Sequence, residues 1–280
     1  MLSVKDISFS VGDRALLSGL NFEATPGEFI AILGPNGAGK STLMKLIGGQ
    51  LEAAAGEISW RDQDVRKGCQ KTLARQRAVL TQHTQVAFDF SVESIVLMGR
   101  YPHFRNAPGR QDEIAVCQAL SDTDMTSYSE RNIQTLSGGE QQRTHISRVL
   151  AQLFEEEQQN DAKLLLLDEP LNNLDIRHQH NILQYSAGYS QKGNVVLAVL
   201  HDINMAAMYA HKVLLMKQGR LLAFGTPHEV LTDQLLTTCY DFPARVTRNP
   251  FHNIPQVHFG CPVAPAGEHS ILSTSKSAMI

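Results

Sequence analysis

The hydrophobic pattern changes period along the chain, and each change marks an element. Near the N-terminus VKDISFSV alternates apolar and polar positions, and GEISW (56–60) is rich in β-formers. With GDR (12–14) as a turn signal, these segments predict a small antiparallel portion. GEFIAILG (27–34) is a short apolar run closed by glycine, and the following KSTLMKLIGG has the spacing of a helix stopped at Gly48–Gly49. Further along, KLLLLDEP and NVVLAVLHD carry continuous apolar runs, the pattern of parallel strands covered on both faces. KVLLMKQGRLLAFG predicts a hairpin turning at Gln218–Gly219. Between about 84 and 150 the period becomes helical, with SVESIVLMG and DEIAVCQAL as candidate helices, which predicts a helical subdomain inserted into the core.

Strands alternating with helices in this order place the chain in the α/β class, with a mixed, largely parallel sheet. We expect one domain over residues 1–240 and a C-terminal extension over 241–280, disordered after about 260; FEEEQQND (154–161) reads as a solvated loop, and no internal repeat is visible. Composition changes this picture little. The chain has 280 residues, 42% of them hydrophobic and 19% charged, enough to bury a real core. A formal net charge of −3 leaves no overall basic footprint, so no nucleic-acid partner is expected. Cys69, Cys117, Cys239 and Cys261 show no CxxC spacing, and no signal peptide precedes VKDISFSV, so the thiols read as reduced and cytosolic. The apolar runs fall far short of the roughly 18 residues that cross a bilayer. A role at a membrane would therefore use another chain's span.

The strongest chemistry lies in GPNGAGKS (34–41). Gly34, Gly37 and Gly39 let backbone amides converge on phosphate oxygens, with Pro35, Asn36 and Ala38 between them, and the helix that follows points its positive end at the same place. Lys40 can reach the β- and γ-phosphates, the Ser41 hydroxyl can ligate Mg²⁺, and Thr42 continues the first helical turn. Strand, glycine loop and helix in this order indicate a P-loop nucleotide site. LLLLDEP supplies a matching half: Asp168, at the carboxyl end of a parallel strand, can hold Mg²⁺ through its water shell, and Glu169 is placed to act as general base on a water. Taken alone, that run reads first as a buried strand ending in a polar turn; its place beside a phosphate loop turns the reading toward the site. His201, in HDIN after the next strand, either approaches the γ-phosphate from the same edge or is an ordinary polar residue at a strand end.

LSGGEQQR (136–143) admits two readings. Ser137 with Glu140 fits a capping box, in which Gly138 and Gly139 are merely tolerated in the first turn. Alternatively, Ser137 and the Gly138 and Gly139 amides form a second anion-seeking helix start.

GPNGAGKS, Gln82 after RAVL, LSGGEQQR, LLLLDEP, the turn NNLD (172–175) and His201 occur in an order and spacing that resemble the ATP-binding cassette (ABC) ATPases over residues 2–240. The resemblance implies ATP and Mg²⁺ as ligands, and a homodimer in which the SGG turn of one subunit closes over the γ-phosphate held by the other. It further implies that Gln82 senses Mg²⁺ and γ-phosphate and couples them to the helical subdomain, that Asp175 aligns opposed subunits, and that His201 steadies the transition state. One position departs from the family: Val11 stands where an aromatic stacks on adenine, leaving Phe9 or an aliphatic contact to substitute.

A finer resemblance lies in residues 77–103, in DIRHQHNIL and in the long loop before KLLLLDEP, which look like the energising subunit of haem (haemin) importers within the wider iron-siderophore and cobalamin uptake group. It implies a transmembrane permease dimer as partner, a periplasmic haem-binding protein as indirect partner, and a place on the cytoplasmic face of the inner membrane. Segment 84–105, with Phe88, Phe90 and Tyr101, is either the permease-docking surface or plain helical-lobe core. Two rivals remain: the same machine serving ferric siderophores or cobalamin, and a soluble cassette ATPase such as those of iron–sulfur cluster assembly. His178 and His180 are two apart on a predicted helix and do not share a face, which argues against a haem- or metal-ligand pair.

Overall fold

The computed structural model describes residues 1–67, 69–81, 88–155 and 161–260. Its elements run β1 (Leu2–Val11), β2 (Arg14–Ala24), β3 (Phe29–Leu33), α1 (Lys40–Ile47), β4 (Ala55–Trp60), β5 (Gln63–Asp64), α2 (Gln70–Gln76), β6 (Arg77–Leu80), α3 (Val92–Met98), α4 (Arg110–Asp122) and α5 (Gly138–Leu153). There follow β7 (Leu164–Asp168), α6 (Ile176–Gln191), β8 (Val195–Val199), α7 (Ile203–Tyr209), β9 (Lys212–Lys217), β10 (Arg220–Gly225), α8 (Pro227–Val230), α9 (Asp233–Tyr240), β11 (Ala244–Arg248) and β12 (Pro255–Phe259).

Every residue of β3, β7 and β8 is buried, as their unbroken apolar sequences require. They lie in a six-stranded sheet of order β10-β9-β3-β8-β7-β6, parallel throughout except for the β9–β10 hairpin. Alternate residues of each strand enter opposite layers. Phe29, Ala31, Leu33, Leu165 and Leu167 join a core shared with the α3, α5 and α6 side chains. Ile30, Ile32, Leu164 and Leu166 join a second core with Leu43, Met44, Leu46 and Ile47 of α1 and the inner face of an antiparallel sheet of order β2-β1-β4-β5. Helix α1 is thus packed between two sheets, which fixes the loop before it.

The predicted antiparallel portion, α1 with its stop at Gly48–Gly49, the paired apolar strands and the Gln218–Gly219 turn all appear in the structure. Gln218 and Gly219 both take positive φ, 48° and 76°, as a two-residue hairpin turn demands. SVESIVLMG forms α3, capped by Ser91, and DEIAVCQAL lies within α4. Helices α3, α4 and α5 pack on one another, and α5 also packs on β6. The interior of this helical region holds a buried ion pair: Arg100 Nε donates to Asp112 Oδ1 at 2.9 Å, and Arg100 Nη1 donates to the Ala151 and Phe154 carbonyls at 2.7 and 2.8 Å. These bonds tie α4 to the C-terminal end of α5, and Asp112 Oδ2 also accepts from the Gly109 amide at the start of α4.

The ends of the expected 154–161 loop are pinned by Lys163–Glu155 and Arg61–Asp161 ion pairs, while 156–160 lie outside the described residues, as does the tail after 260. Residues 244–259 form a separate two-stranded sheet whose Val257 enters the main core. No helix among the described residues is long and apolar enough to cross a membrane.

Replacing Asp112 by alanine leaves a buried guanidinium uncompensated and should cost about 3 kcal/mol of stability. Urea denaturation measures this, and a loss below about 1 kcal/mol would contradict a structural role for the pair.

Candidate functional site

Because β3, β7 and β8 are parallel, their carboxyl ends deliver Gly34, Asp168–Glu169 and His201 to one edge of the sheet. The loop after β3 is held by close backbone approach. A Cβ on Gly34 would lie 2.1 Å from the Met216 carbonyl oxygen, and one on Gly39 would lie 2.5 Å from Leu17 Cδ2, so only glycine fits either position. The hairpin turn clamps the loop from outside, with the Gly219 amide donating to the Ala38 carbonyl at 3.0 Å. Helix α1 begins after Gly39 with no side-chain cap, leaving its first amides available to an anion. Lys40 is buried, and its Nζ donates to the Gly34 and Pro35 carbonyls at 2.7 and 2.9 Å. Burial holds its pKa below the usual lysine range, opposed by the negative charges of Glu169 and Asp168. A phosphate is the natural competitor for this ammonium, since it offers charge where the carbonyls offer only dipoles. Asn36 and Gly37 face solvent at the crest of the loop, and Thr42 is half-buried in the first turn.

Ser41 Oγ donates to Asp168 Oδ1 at 3.2 Å. Asp168 is buried, and that burial pushes its pKa up against the Ser41 hydrogen bond, with Glu169 adding to the rise. A desolvated carboxylate beside a hydroxyl, both hard oxygen donors, fits Mg²⁺, which typically takes one or two protein oxygens and completes its shell with phosphate and water. Among the described residues no cluster of three or more His, Cys, Asp or Glu side chains could hold a metal ion.

Glu169 sits at φ 53°, a left-handed conformation that turns its side chain away from the strand direction. His201 Nε2 lies 2.9 Å from Glu169 Oε1, and Asn172 Nδ2 donates to Oε2 at 2.8 Å. These three residues line a cleft of about 150 Å³ with Leu200 and Asp202. A carboxylate oriented from both sides at the mouth of a cleft can accept a proton from a water placed there.

Both readings of LSGGEQQR find support. Ser137 caps α5 reciprocally with Glu140: the Ser137 amide donates to Glu140 Oε2 at 2.7 Å, and the Glu140 amide donates to Ser137 Oγ at 3.3 Å. The expectation that the glycines are merely tolerated is corrected at Gly139, where a Cβ would stand 2.6 Å from the Asn173 carbonyl oxygen. Ser137 and Gly138 are exposed, so the start of α5 presents its amides outward. Among the described residues no hydrogen bond joins this turn to the phosphate loop of the same chain. Its contacts run instead to the Glu169 loop, where Gln142 Nε2 donates to the Glu169 and Pro170 carbonyls at 3.4 and 3.2 Å.

Gln82 lies outside the described residues. Asp175 caps α6, accepting from the His178 amide at 2.9 Å and pairing with His178 Nδ1 at 2.8 Å, which holds its carboxyl below the usual range. His180 points elsewhere, to the Tyr209 hydroxyl at 2.7 Å, so the two histidines do not converge. Val11 is exposed at the end of β1, whereas Phe9 packs against the core beside α1; the aliphatic side chain is therefore the one open to a base. Phe88 and Tyr101 are exposed, but Phe90 is partly buried against the core, so residues 88–105 divide between the two readings offered for segment 84–105; residues 84–87 lie outside the described residues.

Sequence reasoning missed two contributors. Asn172 orients Glu169, and Gln142 joins α5 to the Glu169 loop. Two adjacent asparagines just after a strand-end Asp-Glu were the one local signal available, for Asn172.

Comparison with known proteins agrees with this geometry. The sequence profile described as "ABC transporter" matches residues 17–172. The hemin import ATP-binding protein HmuV of Gloeobacter violaceus is 40% identical over 273 residues, covering 97% of this chain and 96% of that protein. The HmuV of Rhodopseudomonas palustris (strain BisB5) is 42% identical, covering 89% of this chain and 93% of its own. Among solved structures, an inward-facing putative metal-chelate type ABC transporter superposes with a TM-score of 0.76 at 29% identity, covering 92% of this chain and 96% of that one. On these matches and on the phosphate-loop geometry, the chain belongs to the ABC transporter family and is one of its transport-coupled ATPases.

Proposed function

We propose that this chain is the ATP-hydrolysing subunit of a haem importer, working as a homodimer against a membrane permease at the cytoplasmic face of the inner membrane. The observation that carries the catalytic part is the Glu169 carboxylate, held between His201 and Asn172 on the same sheet edge as Lys40, Ser41 and Asp168. The curated relatives named for hemin import, aligned over nearly the whole chain, support the cargo.

In this reading the loop amides and Lys40 bind the β- and γ-phosphates, exchanging the Gly34 and Pro35 carbonyls for phosphate oxygens. Ser41 and Asp168 would hold Mg²⁺, with Gln82, expected from the family resemblance, as a further ligand; the bound ion would neutralise phosphate charge. Glu169 accepts a proton from the attacking water as the bond to the leaving ADP oxygen breaks, giving ADP and inorganic phosphate. His201 keeps that carboxylate in place and donates toward the γ-phosphate. Ser137, Gly138 and Gly139 of a second copy close over the same phosphate. Binding energy available only in the closed dimer shifts the permease between states before hydrolysis reopens it. A second reading, an importer of another metal chelate such as a ferric siderophore or cobalamin, is favoured by the metal-chelate description of the solved structure that superposes with a TM-score of 0.76.

Three outcomes are expected. Glu169→Gln lowers turnover by about a hundredfold or more while nucleotide affinity stays near wild type, and with saturating Mg·ATP it sediments at twice the 30.9 kDa of one chain. Wild-type hydrolysis would remove Glu169 from its role, and particles that stay single would remove the SGG turn from the partner's site. Lys40→Ala weakens nucleotide binding by roughly ten- to a hundredfold in calorimetry, as expected for loss of a charge-assisted contact; unchanged affinity would count against the phosphate-loop assignment. Reconstituted with the permease that co-purifies, the ATPase is stimulated by haem loaded on its binding protein. Stimulation by a ferric siderophore or cobalamin instead selects the second reading, and purification without any membrane protein rejects both.

A further inference from the structure

The C-terminal hairpin β11–β12 lies outside the two large sheets, and nothing in the reaction described above uses it. Its attachments are unusual. In an antiparallel pair, alternate residues turn their backbone groups outward, where a neighbouring strand would normally bind them. Val246 and Val257 face each other across the hairpin, and both have outward-turned groups met by side chains. On the β12 edge, Asn204 uses its whole amide: Nδ2 donates to the Val257 carbonyl at 3.2 Å, and Oδ1 accepts from the Val257 amide at 2.7 Å. On the β11 edge, Asp233 Oδ1 accepts from the Val246 amide at 2.7 Å. Two side chains, from α7 and α9, thus stand in for the missing strands, and the hairpin is a plate fixed between those helices.

Helix α7 follows directly on the turn that carries His201. Asn204 is three residues after His201, and Asp202 between them caps α7 by accepting from the Asn204 and Met205 amides at 2.8 and 3.0 Å. His201 itself is half exposed, so packing does not hold its imidazole. Its place is set by the backbone on either side. Before it, the Leu200 amide donates to the Ile32 carbonyl on β3 at 3.2 Å; after it, Ile203 packs into the main core and Asn204 makes the next long-range hydrogen bonds, to the hairpin. At the other end, Tyr240 closes α9 and meets Phe259 of β12 edge-on, with ring centroids 5.4 Å apart. The hairpin is therefore fixed on one edge to the helix that follows the histidine and on the other to α9.

The geometry points to Asn204 as a positioning residue for ATP hydrolysis, which through its paired hydrogen bonds to Val257 makes the C-terminal hairpin the brace that sets His201 against Glu169. This inference rests on the role given to His201 above. Losing both bonds would leave two buried backbone groups of β12 unpaired and remove one of the holds on the first turn of α7, whose Ile203 and Met205 remain in the core; a displacement of about 1 Å at a reacting group can cost up to a hundredfold in rate.

Steady-state ATPase kinetics on the full chain test it with Asn204→Ala, Asp233→Ala, His201→Ala and the Asn204→Ala/His201→Ala pair. Asn204→Ala should lower kcat about tenfold with KM for ATP within about twofold, because phosphate binding does not depend on the brace. Asp233→Ala, which loosens the hairpin from its far edge, should lower kcat by a smaller factor. In the His201→Ala background, Asn204→Ala should have no further effect on single-turnover hydrolysis, since its action passes through the histidine. A purely structural asparagine would lower the melting temperature yet leave kcat intact below it, or its loss would multiply with that of His201; either result overturns the inference. If Asn204→Ala does not fold, wild-type kcat in Asp233→Ala overturns it instead. Should His201→Ala itself turn over at the wild-type rate, the catalytic reading of the site fails and takes this inference with it, whereas a slow His201→Ala beside a fast Asn204→Ala rejects the brace alone.

Discussion

Three adjacent strands with no exposed residue leave charge only one place to go. The interiors of β3, β8 and β7 are apolar on both faces, so a carboxylate within them would be desolvated without a partner, at a cost no local contact could offset. Parallel orientation then brings all their carboxyl ends to the same edge. Asp168 shows how near the limit this runs: it is the last residue of its strand, it is buried, and its pKa is raised for that reason despite the Ser41 hydroxyl beside it. A divalent cation arriving with a nucleotide would supply the charge that relieves it.

Close backbone approach carries this constraint outward. Gly34 and Gly39 bring the phosphate loop against β9 and β2, and Gly219 brings the hairpin turn onto Leu16, where a Cβ would stand 2.3 Å from the carbonyl oxygen. Gly139 does the same for the start of α5 against Asn173. Since Asn173 lies between Asn172, which holds Glu169, and Asp175, which caps α6, the SGG turn is packed onto the loop that carries its own chain's Glu169. Gln142 of α5 adds hydrogen bonds to the Glu169 and Pro170 carbonyls of the same loop.

What the sequence displayed and what it hid divide along chain separation. The apolar strands, the hairpin turn and the capping box are written within a few neighbouring residues, and the phosphate loop within eight, so period and spacing were sufficient to find them. Asn204 and Val257 are separated by 53 residues, Gln142 and Glu169 by 27. A side-chain amide in isolation has no preferred partner, and only the fold determines which backbone groups will face it. Gly139 was misread for a related reason: its own helix needs no glycine there, and the requirement comes from Asn173 across the packing. The hairpin escaped because ARVTR and PQVHF are short, half-exposed strands, and their anchors are side chains of other elements.

The double hold on Glu169 explains why a glutamate at a strained φ is useful here. A left-handed residue after a buried strand sends the side chain sideways along the edge, and the longer arm of glutamate then reaches His201 and Asn172 at once. A carboxylate oxygen can accept more than one hydrogen bond, so being held does not by itself exclude a water from the same group. The arrangement favours placement, which suits phosphoryl transfer, where positioning and charge stabilisation supply most of the acceleration.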